Sequence, residues 1–417
     1  MPTITMFAFV AFIILSLMPL RKEKNRNTWG YISAFGSTIV AIVIFLAVLL
    51  LNVNLLLGIG IMVVMSILLD RNTYTKAGII TLGILSMIIG GLVYYVLRED
   101  VDFVVNYIKT DPSTSFYYAV NDEVVVSRNE DMNIPLASTA KMTIAGVFAE
   151  EVTSGNIDPD EQIDIVDLEK FHLPDTDGGA HPAWLEDVGE DTVSLEEVVR
   201  GMMSYSSNAN TDYLLEQLGI DYVNERIAEW GMENHDDMIP FVSGLIVIQE
   251  YDGNLEDLSF EDYEQLVLET HQSIVSGEVN AGEMSLTAGL GDQRYWSDWL
   301  PSSTTAEYSQ WLNQIQTGEW ADEETSDYLM AILSDNYDAP EGFAIMGGKG
   351  GSTAFVLNEP RFLSTVDGDT LQWAMFTDDL NTWERFKLNR NYFTFVQQFL
   401  EDPNYREEVV EELQSAE

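Results

Sequence analysis

The chain has 417 residues, enough for two or three domains, and it contains no cysteine, which excludes disulfide bonds and a thiol nucleophile. Its four histidines show no H-x-x-x-H or H-E-x-x-H spacing, which argues against a zinc hydrolase, and we expect neither a metal nor a cofactor. The formal net charge is −48, and residues 101–417 hold 13 basic and 64 acidic side chains, a balance that disfavours DNA, RNA and anionic lipid headgroups as partners.

The first hundred residues are mostly apolar and predict four membrane-spanning helices. The predicted spans are residues 3–20, 29–50, 53–69 and 77–97. The basic segments 21–27 and 70–76 then lie on the same side of the membrane, which the positive-inside rule assigns to the cytoplasm. A cleaved signal peptide over residues 1–20 is the alternative, although its basic residues would follow the apolar run instead of preceding it.

This topology predicts a multi-pass protein of the cell membrane. Residues 1–97 would contact the lipid bilayer, and both the N-terminus and the C-terminal domain would be extracytoplasmic. Residues 101–113 are predicted to be a juxtamembrane linker, and residues 114–417 a separate domain. No charged residue lies inside the predicted spans, so we expect them to act as an anchor.

The domain begins with the hairpin pattern TSFYYAVNDEVVVSR, which has β-branched and aromatic residues in both arms and a turn at Asn121–Asp122. The pattern is then mostly helical to about Leu333. It ends with three strand-like runs and a helix, at residues 352–357, 361–366, 370–377 and 388–415. This order predicts an α+β fold, an antiparallel sheet flanked by helices, preceded by the transmembrane helical bundle.

Three short stretches hold residues that suit nucleophilic catalysis. Ser138 and Lys141 lie three positions apart, on one face of a helix. A serine hydroxyl needs a neighbouring base, and Lys141 could serve if burial and a second cation lower its pKa. The other two stretches are S206-S-N208, at the head of a helical segment, and K349-G-G351, which leads into a strand. Each stretch alone also suits a structural role, as a helix cap or an ordinary turn.

In this order the stretches resemble the S-x-x-K, S-x-N and K-[ST]-G motifs of the penicillin-recognising serine enzymes. This superfamily contains the serine β-lactamases and the D-alanyl-D-alanine peptidases. The resemblance covers about residues 112–400, and the helical run 304–333 is similar to the corresponding run of class A β-lactamases. It implies a β-lactamase/transpeptidase-like fold for this part of the chain.

The resemblance also implies a role for each motif residue. Ser138 would be the nucleophile, Lys141 its base, and Lys349 the second cation. Ser206 would relay a proton to the leaving nitrogen, and Asn208 would hold Lys141 and a substrate amide. The third motif would supply the substrate-binding residues Gly351, Ser352 and Thr353, and the backbone N–H groups of Ser138 and Ser352 would form the oxyanion hole.

The sequence departs from the family's pattern at two points. The third motif has Gly350 where Ser or Thr is usual, so a hydroxyl is missing unless Ser352 or Thr353 replaces it. The stretch GLGDQRYWSDWLPSSTT contains no glutamate that could activate a deacylating water; Asp292 and Asp298 are the candidates. The acidic stretch 231–290 is long and is predicted to be an insertion over the cleft.

We therefore expect a membrane-anchored serine acyl hydrolase or acyltransferase of the penicillin-binding class. Its substrates would be peptidoglycan-type peptides ending in D-alanine, related amides or esters of the cell wall, or β-lactam-like small molecules. The alternatives are a true β-lactamase, which the missing glutamate disfavours, and a non-catalytic β-lactam or peptidoglycan sensor or binding module. A stable acyl adduct without turnover would favour the last of these.

Overall fold

The computed structural model describes residues 98–415, so the four predicted membrane spans lie outside the described residues. The chain divides between Arg98 and Glu99 into two compact units, of which the second is described below. Between residues 98 and 415, no helix combines the length and the apolar character needed to cross a membrane.

The strands are β1 (Thr114–Val120), β2 (Glu123–Arg128), β3 (Ile134–Pro135), β4 (Gln162–Asp164), β5 (Thr192–Ser194), β6 (Ser302–Ser303), β7 (Phe343–Gly348), β8 (Gly351–Ser352), β9 (Leu357–Thr365) and β10 (Thr370–Thr377). The helices are α1 (Val101–Thr110), α2 (Lys141–Thr153), α3 (Ile165–Glu169), α4 (Ala180–Val188), α5 (Leu195–Ser204), α6 (Asn208–Leu218), α7 (Ile220–Glu229), α8 (Phe241–Glu250), α9 (Phe260–Val275), α10 (Leu290–Asp298), α11 (Thr305–Thr317), α12 (Glu323–Ser334), α13 (Thr382–Glu401) and α14 (Pro403–Gln414).

The main sheet has six antiparallel strands in the order β2-β1-β10-β9-β7, with β8 paired to β9 beyond the end of β7. Alternate residues of the central strands point to opposite faces. Phe116 and Trp373 pack in one core with α1, α13 and α14, and Tyr117 and Phe376 pack in the other with helices that include α2 and α11. The predicted α+β class, with helices on an antiparallel sheet, is confirmed.

The turn between β1 and β2 forms at the residues that the sequence indicates. Asn121 and Asp122 join β1 to β2, and both have positive φ (51° and 66°), the geometry of a two-residue hairpin turn. Asp367 and Gly368 lie between β9 and β10.

Residues 101–113 differ from the predicted linker, because most of them form α1. Val104, Val105 and Ile108 are buried in the core that α13 also lines. Asp100, just before α1, binds Lys387 of α13 through its carboxylate (2.7 Å). The helix is therefore part of the domain.

Two predictions near the C-terminus are wrong. The strand at 352–357 is mostly a turn, because Thr353 Oγ1 accepts hydrogen bonds from the N–H groups of Phe355 and Val356, and β9 begins only at Leu357. The strands that precede this turn are β7 and the short β8. The single helix predicted at 388–415 is two helices, since Asn381 caps α13 at its start and Asp402 caps α14 before Pro403.

The stretch 231–290 contains α8 and α9, which share an apolar cluster of their own. Asp212 of α6 fixes the start of α8: its buried carboxylate accepts the backbone N–H groups of Phe241 (2.7 Å) and Val242 (3.0 Å). Burial raises the pKa of Asp212 to about 7, against the effect of these N–H groups and of Lys141. The contact ties this stretch to the helix of the second motif.

Candidate active site

Ser138 lies in a tight 3-10 turn, Ala137–Ala140, that leads directly into α2. Ala137 has a φ of 48°, a left-handed conformation that is uncommon without glycine. The turn is buried apart from Ser138, which is half-buried and faces a cleft. The nucleophile predicted from the sequence is therefore accessible to a small molecule.

Lys141, the first residue of α2, is completely buried. Its Nζ donates to the carbonyl of Ser206 (2.7 Å) and to Oδ1 of Asn208 (2.8 Å), and it lies 3.3 Å from Oγ of Ser206. Burial, and then the positive charge of Lys349, hold the pKa of Lys141 well below its usual value, while Asp177 and Asp212 oppose the shift. Residues of the second motif thus contact the first motif at the amine of Lys141.

The second motif is positioned by the start of α6. Ser206 has a φ of 70°, a strained conformation for a residue with a side chain. Ser207 caps the helix by accepting the N–H of Asn210 (3.2 Å), and His181 Nδ1 lies 2.9 Å from the same hydroxyl. Asn208 is then the first residue of the helix, with its amide oxygen toward Lys141.

Lys349 follows the last residue of β7 and is 8% exposed. Its Nζ donates to the carbonyl of Gly350 (2.8 Å). Burial lowers the pKa of Lys349 to about 8; Glu359 opposes this shift and Arg361 adds to it. Lys349 lines the same cleft as Ser138, Ser206 and Asn208.

The third motif is held against the turn of Ser138. Thr139 Oγ1 donates to the carbonyl of Lys349 (3.1 Å), and Gly351 pairs with Asn358 of β9. A Cβ on Gly351 would lie 2.2 Å from the carbonyl oxygen of Leu136 and 2.7 Å from the backbone nitrogen of Thr139. Only glycine fits here, because both obstacles are backbone atoms.

The hydroxyls of Ser352 and Thr353, which follow Gly351, differ in whether they are free to bind a substrate. Thr353 is buried, and its Oγ1 accepts two backbone N–H groups and lies 2.7 Å from the hydroxyl of Ser297. It therefore does not replace the hydroxyl that position 350 lacks. Ser352 is exposed and lines the cleft.

The cleft has a volume of about 540 Å³ and is bounded by more residues than the motifs indicated. The sequence did not point to Asp177, Phe241, Trp296, Tyr337 or Arg385, all of which line it. Phe241 opens the apolar segment FVSGLIVI of the predicted insertion, and Trp296 Nε1 donates to its carbonyl (3.0 Å). Phe241 and Trp296 therefore form part of one wall of the cleft.

Neither carboxylate suggested as a deacylating base lines this cleft. Asp292 accepts the N–H of Gly289 (3.2 Å), and Asp298 forms an ion pair with Arg294 (2.6 Å). Within the described part of the chain, the carboxylates that line the cleft are Asp177 and Glu359. Asp177 caps α4 by accepting the backbone N–H groups of residues 179, 180 and 181, and Glu359 pairs with Arg361.

Comparison with known proteins identifies one family. The profile of the beta-lactamase enzyme family matches residues 97–392. Similar solved structures include a beta-lactamase from Sphaerobacter thermophilus, 19% identical with a TM-score of 0.44, which covers 76% of this chain and 93% of its own. A class A beta-lactamase from Bacteroides cellulosilyticus is 17% identical with a TM-score of 0.47, over 76% and 96% of the two chains. The protein PBP-A is 16% identical with a TM-score of 0.44, over 72% and 95%. No curated protein sequence matches the chain.

Proposed function

The chain belongs to the beta-lactamase enzyme family, whose members are serine hydrolases, and on that premise we propose that it acts through an acyl-enzyme formed on Ser138. The observation that carries this proposal is the environment of Lys141. A buried amine with a lowered pKa lies within hydrogen-bond distance of Ser206 and Asn208, and these two residues line the same cleft as Ser138.

In the proposed reaction, neutral Lys141 accepts the proton of Ser138 as its oxygen attacks a substrate carbonyl. The oxyanion is stabilised by the backbone N–H groups of Ser138 and Ser352. Ser206, in contact with Lys141, passes the proton to the leaving group. Lys349 keeps a positive charge next to these groups, which favours the neutral form of Lys141. Water or an amine then resolves the acyl-enzyme.

The proposed substrates are D-alanyl peptides of the cell wall and related amides or esters. We place the enzyme outside the cytoplasmic membrane, anchored by residues 1–97, because the two basic loops predicted there favour that topology. The domain's strong negative charge suits a solvent-exposed exterior. Peptidoglycan-type peptides and β-lactam-like molecules are its proposed partners.

A fast β-lactamase is not the proposal that the cleft supports best. Hydrolysis of a penicilloyl-enzyme needs a base for the incoming water. Asp177 already accepts three backbone N–H groups, and Glu359 is paired with Arg361. Both carboxylates are already engaged in these contacts, so we expect the proposed penicilloyl-enzyme to be long-lived.

Intact-mass spectrometry of the purified full-length chain after exposure to penicillin tests this proposal. We expect one added penicilloyl group that persists for many minutes, and no adduct on the Ser138→Ala variant. An activated D-alanyl ester serves as a second reagent. Failure of both reagents to modify the folded chain would refute the proposal, and rapid turnover of a chromogenic cephalosporin would favour the true β-lactamase.

A further inference from the structure

Position 350, where the family's motif has a hydroxyl residue, is glycine, and the space that a side chain would enter there holds the carboxylate of Glu359. A Cβ on Gly350 would lie 2.6 Å from Oε1 of Glu359 and 3.0 Å from its Cδ and Oε2. These distances are shorter than ordinary Cβ contacts. Gly351 is confined by backbone atoms, whereas Gly350 is confined by this one carboxylate. The motif's hydroxyl is therefore missing at the same place where the carboxylate of Glu359, on β9, is present.

Glu359 is held in this position by its neighbours. Arg361, two residues later and on the same side of β9, forms an ion pair with it. The guanidinium of Arg361 lies 4.3 Å from the ring centroid of Tyr337, a cation–π contact. The side chains of Glu359 and Arg361 are 20% and 15% exposed, and both line the cleft. The carboxylate is thus paired with Arg361, partly desolvated and open to a bound molecule.

A carboxylate in place of the motif's hydroxyl changes the hydrogen-bonding character of the cleft beside Gly350. A Ser or Thr hydroxyl can donate to a substrate carboxylate, while an ionised carboxylate only accepts. The titratable groups around Lys349 are Glu359, Arg361 and Lys141, whose pKa is lowered by burial and by Lys349 itself. Glu359 adds a negative charge beside Lys349 and repels a second carboxylate placed there. Arg361 forms an ion pair with Glu359. Arg385, whose buried Nη1 has no hydrogen-bond partner among the described residues, also lines the cleft and is open to an anion.

We propose that Glu359 is a specificity-determining residue that takes the place of the motif's hydroxyl. It selects acyl donors whose leaving group presents a hydrogen-bond donor, rather than a carboxylate, to the part of the cleft beside Gly350. This inference rests on the proposed acyl-enzyme function and narrows it. Among D-alanyl amides and esters, those with an amide or amine next to the scissile bond are preferred over those that end in a free carboxylate.

Two thioesters of N-acetyl-D-alanine test the proposal with the full-length chain. One has thioglycolate as its leaving group and the other has the primary amide of thioglycolate. In both reactions Ser138 Oγ bonds to the acyl carbon, the C–S bond breaks, and the serine proton leaves with the thiol, so the same acyl-enzyme forms. Because the two thiols differ in pKa, the ratio of the two acylation rate constants is divided by the ratio of the two uncatalysed hydrolysis rates. This normalised ratio is the preference that reports on recognition of the leaving-group end.

We expect the amide to acylate the unmodified chain roughly tenfold faster than the carboxylate, as one nearby charge would produce. Glu359→Gln, of nearly equal volume, should abolish the preference, and Glu359→Asp should retain part of it. Glu341→Gln, which removes an exposed charge outside the cleft, is the matched control and should leave the ratio unchanged.

An equal ratio in the unmodified chain and Glu359→Gln, with both esters reacting at Ser138, would overturn this inference and leave the proposed function standing. Acylation by neither ester would remove the proposed function and the inference with it. Thermal unfolding of each variant shows that the compared chains are folded.

Discussion

At the scale of single residues, the account depends on Lys141 being a neutral amine at ordinary pH. An exposed lysine has a pKa near 10.4 and is a poor base because it is almost always protonated. Here it is fully buried, with Lys349 as a cationic neighbour. The sequence indicated the pair Ser138 and Lys141 through their spacing alone. The opposing charges of Asp177 and Asp212 come from distant segments, and local sequence does not indicate them.

The pH dependence of acylation follows from Lys349. Its pKa is lowered to about 8, so its charge is present below pH 8 and is lost as the pH rises through that value. We expect the acylation rate constant to fall above pH 8. In Lys349→Arg the fall should disappear up to at least pH 10, because a guanidinium stays protonated. Stopped-flow measurements with a D-alanyl thioester give both profiles, and an identical alkaline limb in the two proteins would assign it to another group.

At the scale of elements, the site depends on β8 being pressed against the turn that holds Ser138. Strand patterning placed a strand at 352–357, but the hydrogen bonds of Thr353 turn the chain there, and only Gly351 and Ser352 pair with β9. The pairing partners of this short strand, Asn358 and Leu357, lie only a few residues later, but the turn of Ser138 that β8 contacts lies far away in the sequence. The hairpin turn at Asn121–Asp122, in contrast, depends on local residues and was predicted correctly.

Two neighbouring glycines give a matched test of this contact. Gly351→Ala would push a methyl group onto the backbone of Leu136 and Thr139, whereas Gly350→Ala meets only the movable end of Glu359. We expect Gly351→Ala to lower the free energy of unfolding by about 1–3 kcal/mol, and acylation to slow by roughly a hundredfold from the displaced serine. Urea unfolding and acylation rates measure both effects. Equal losses for the two variants would contradict the assigned packing.

At the scale of the whole molecule, the order of hairpin, helices, strands and closing helices was sufficient to predict the fold class, and the three motifs indicated the residues that meet at the cleft. The sequence did not indicate α1, whose apolar face is explained only by its packing in the core with α13. Nor did it indicate Phe241, Trp296 or Glu359, because the walls of a cleft come from segments that are far apart in the chain.

The proposed topology has a direct test because the chain contains no cysteine. Single variants Asn25→Cys, in the first predicted basic loop, and Asp252→Cys, exposed in the domain, can be labelled in intact cells with an impermeant maleimide. We expect labelling of Asp252→Cys in intact cells and of Asn25→Cys only after lysis. Labelling of Asn25→Cys from outside would contradict the four-span arrangement.

In the proposed reaction one serine, Ser138, served by Lys141, carries the acyl group. Tandem mass spectrometry of the full-length chain after brief reaction with an activated D-alanyl ester locates that group. The account predicts acylation at Ser138 alone, and a loss of at least about a hundredfold in its rate in Lys141→Met. An acyl group on Ser206, Ser352 or a lysine, or undiminished acylation of Ser138 without Lys141, would contradict it.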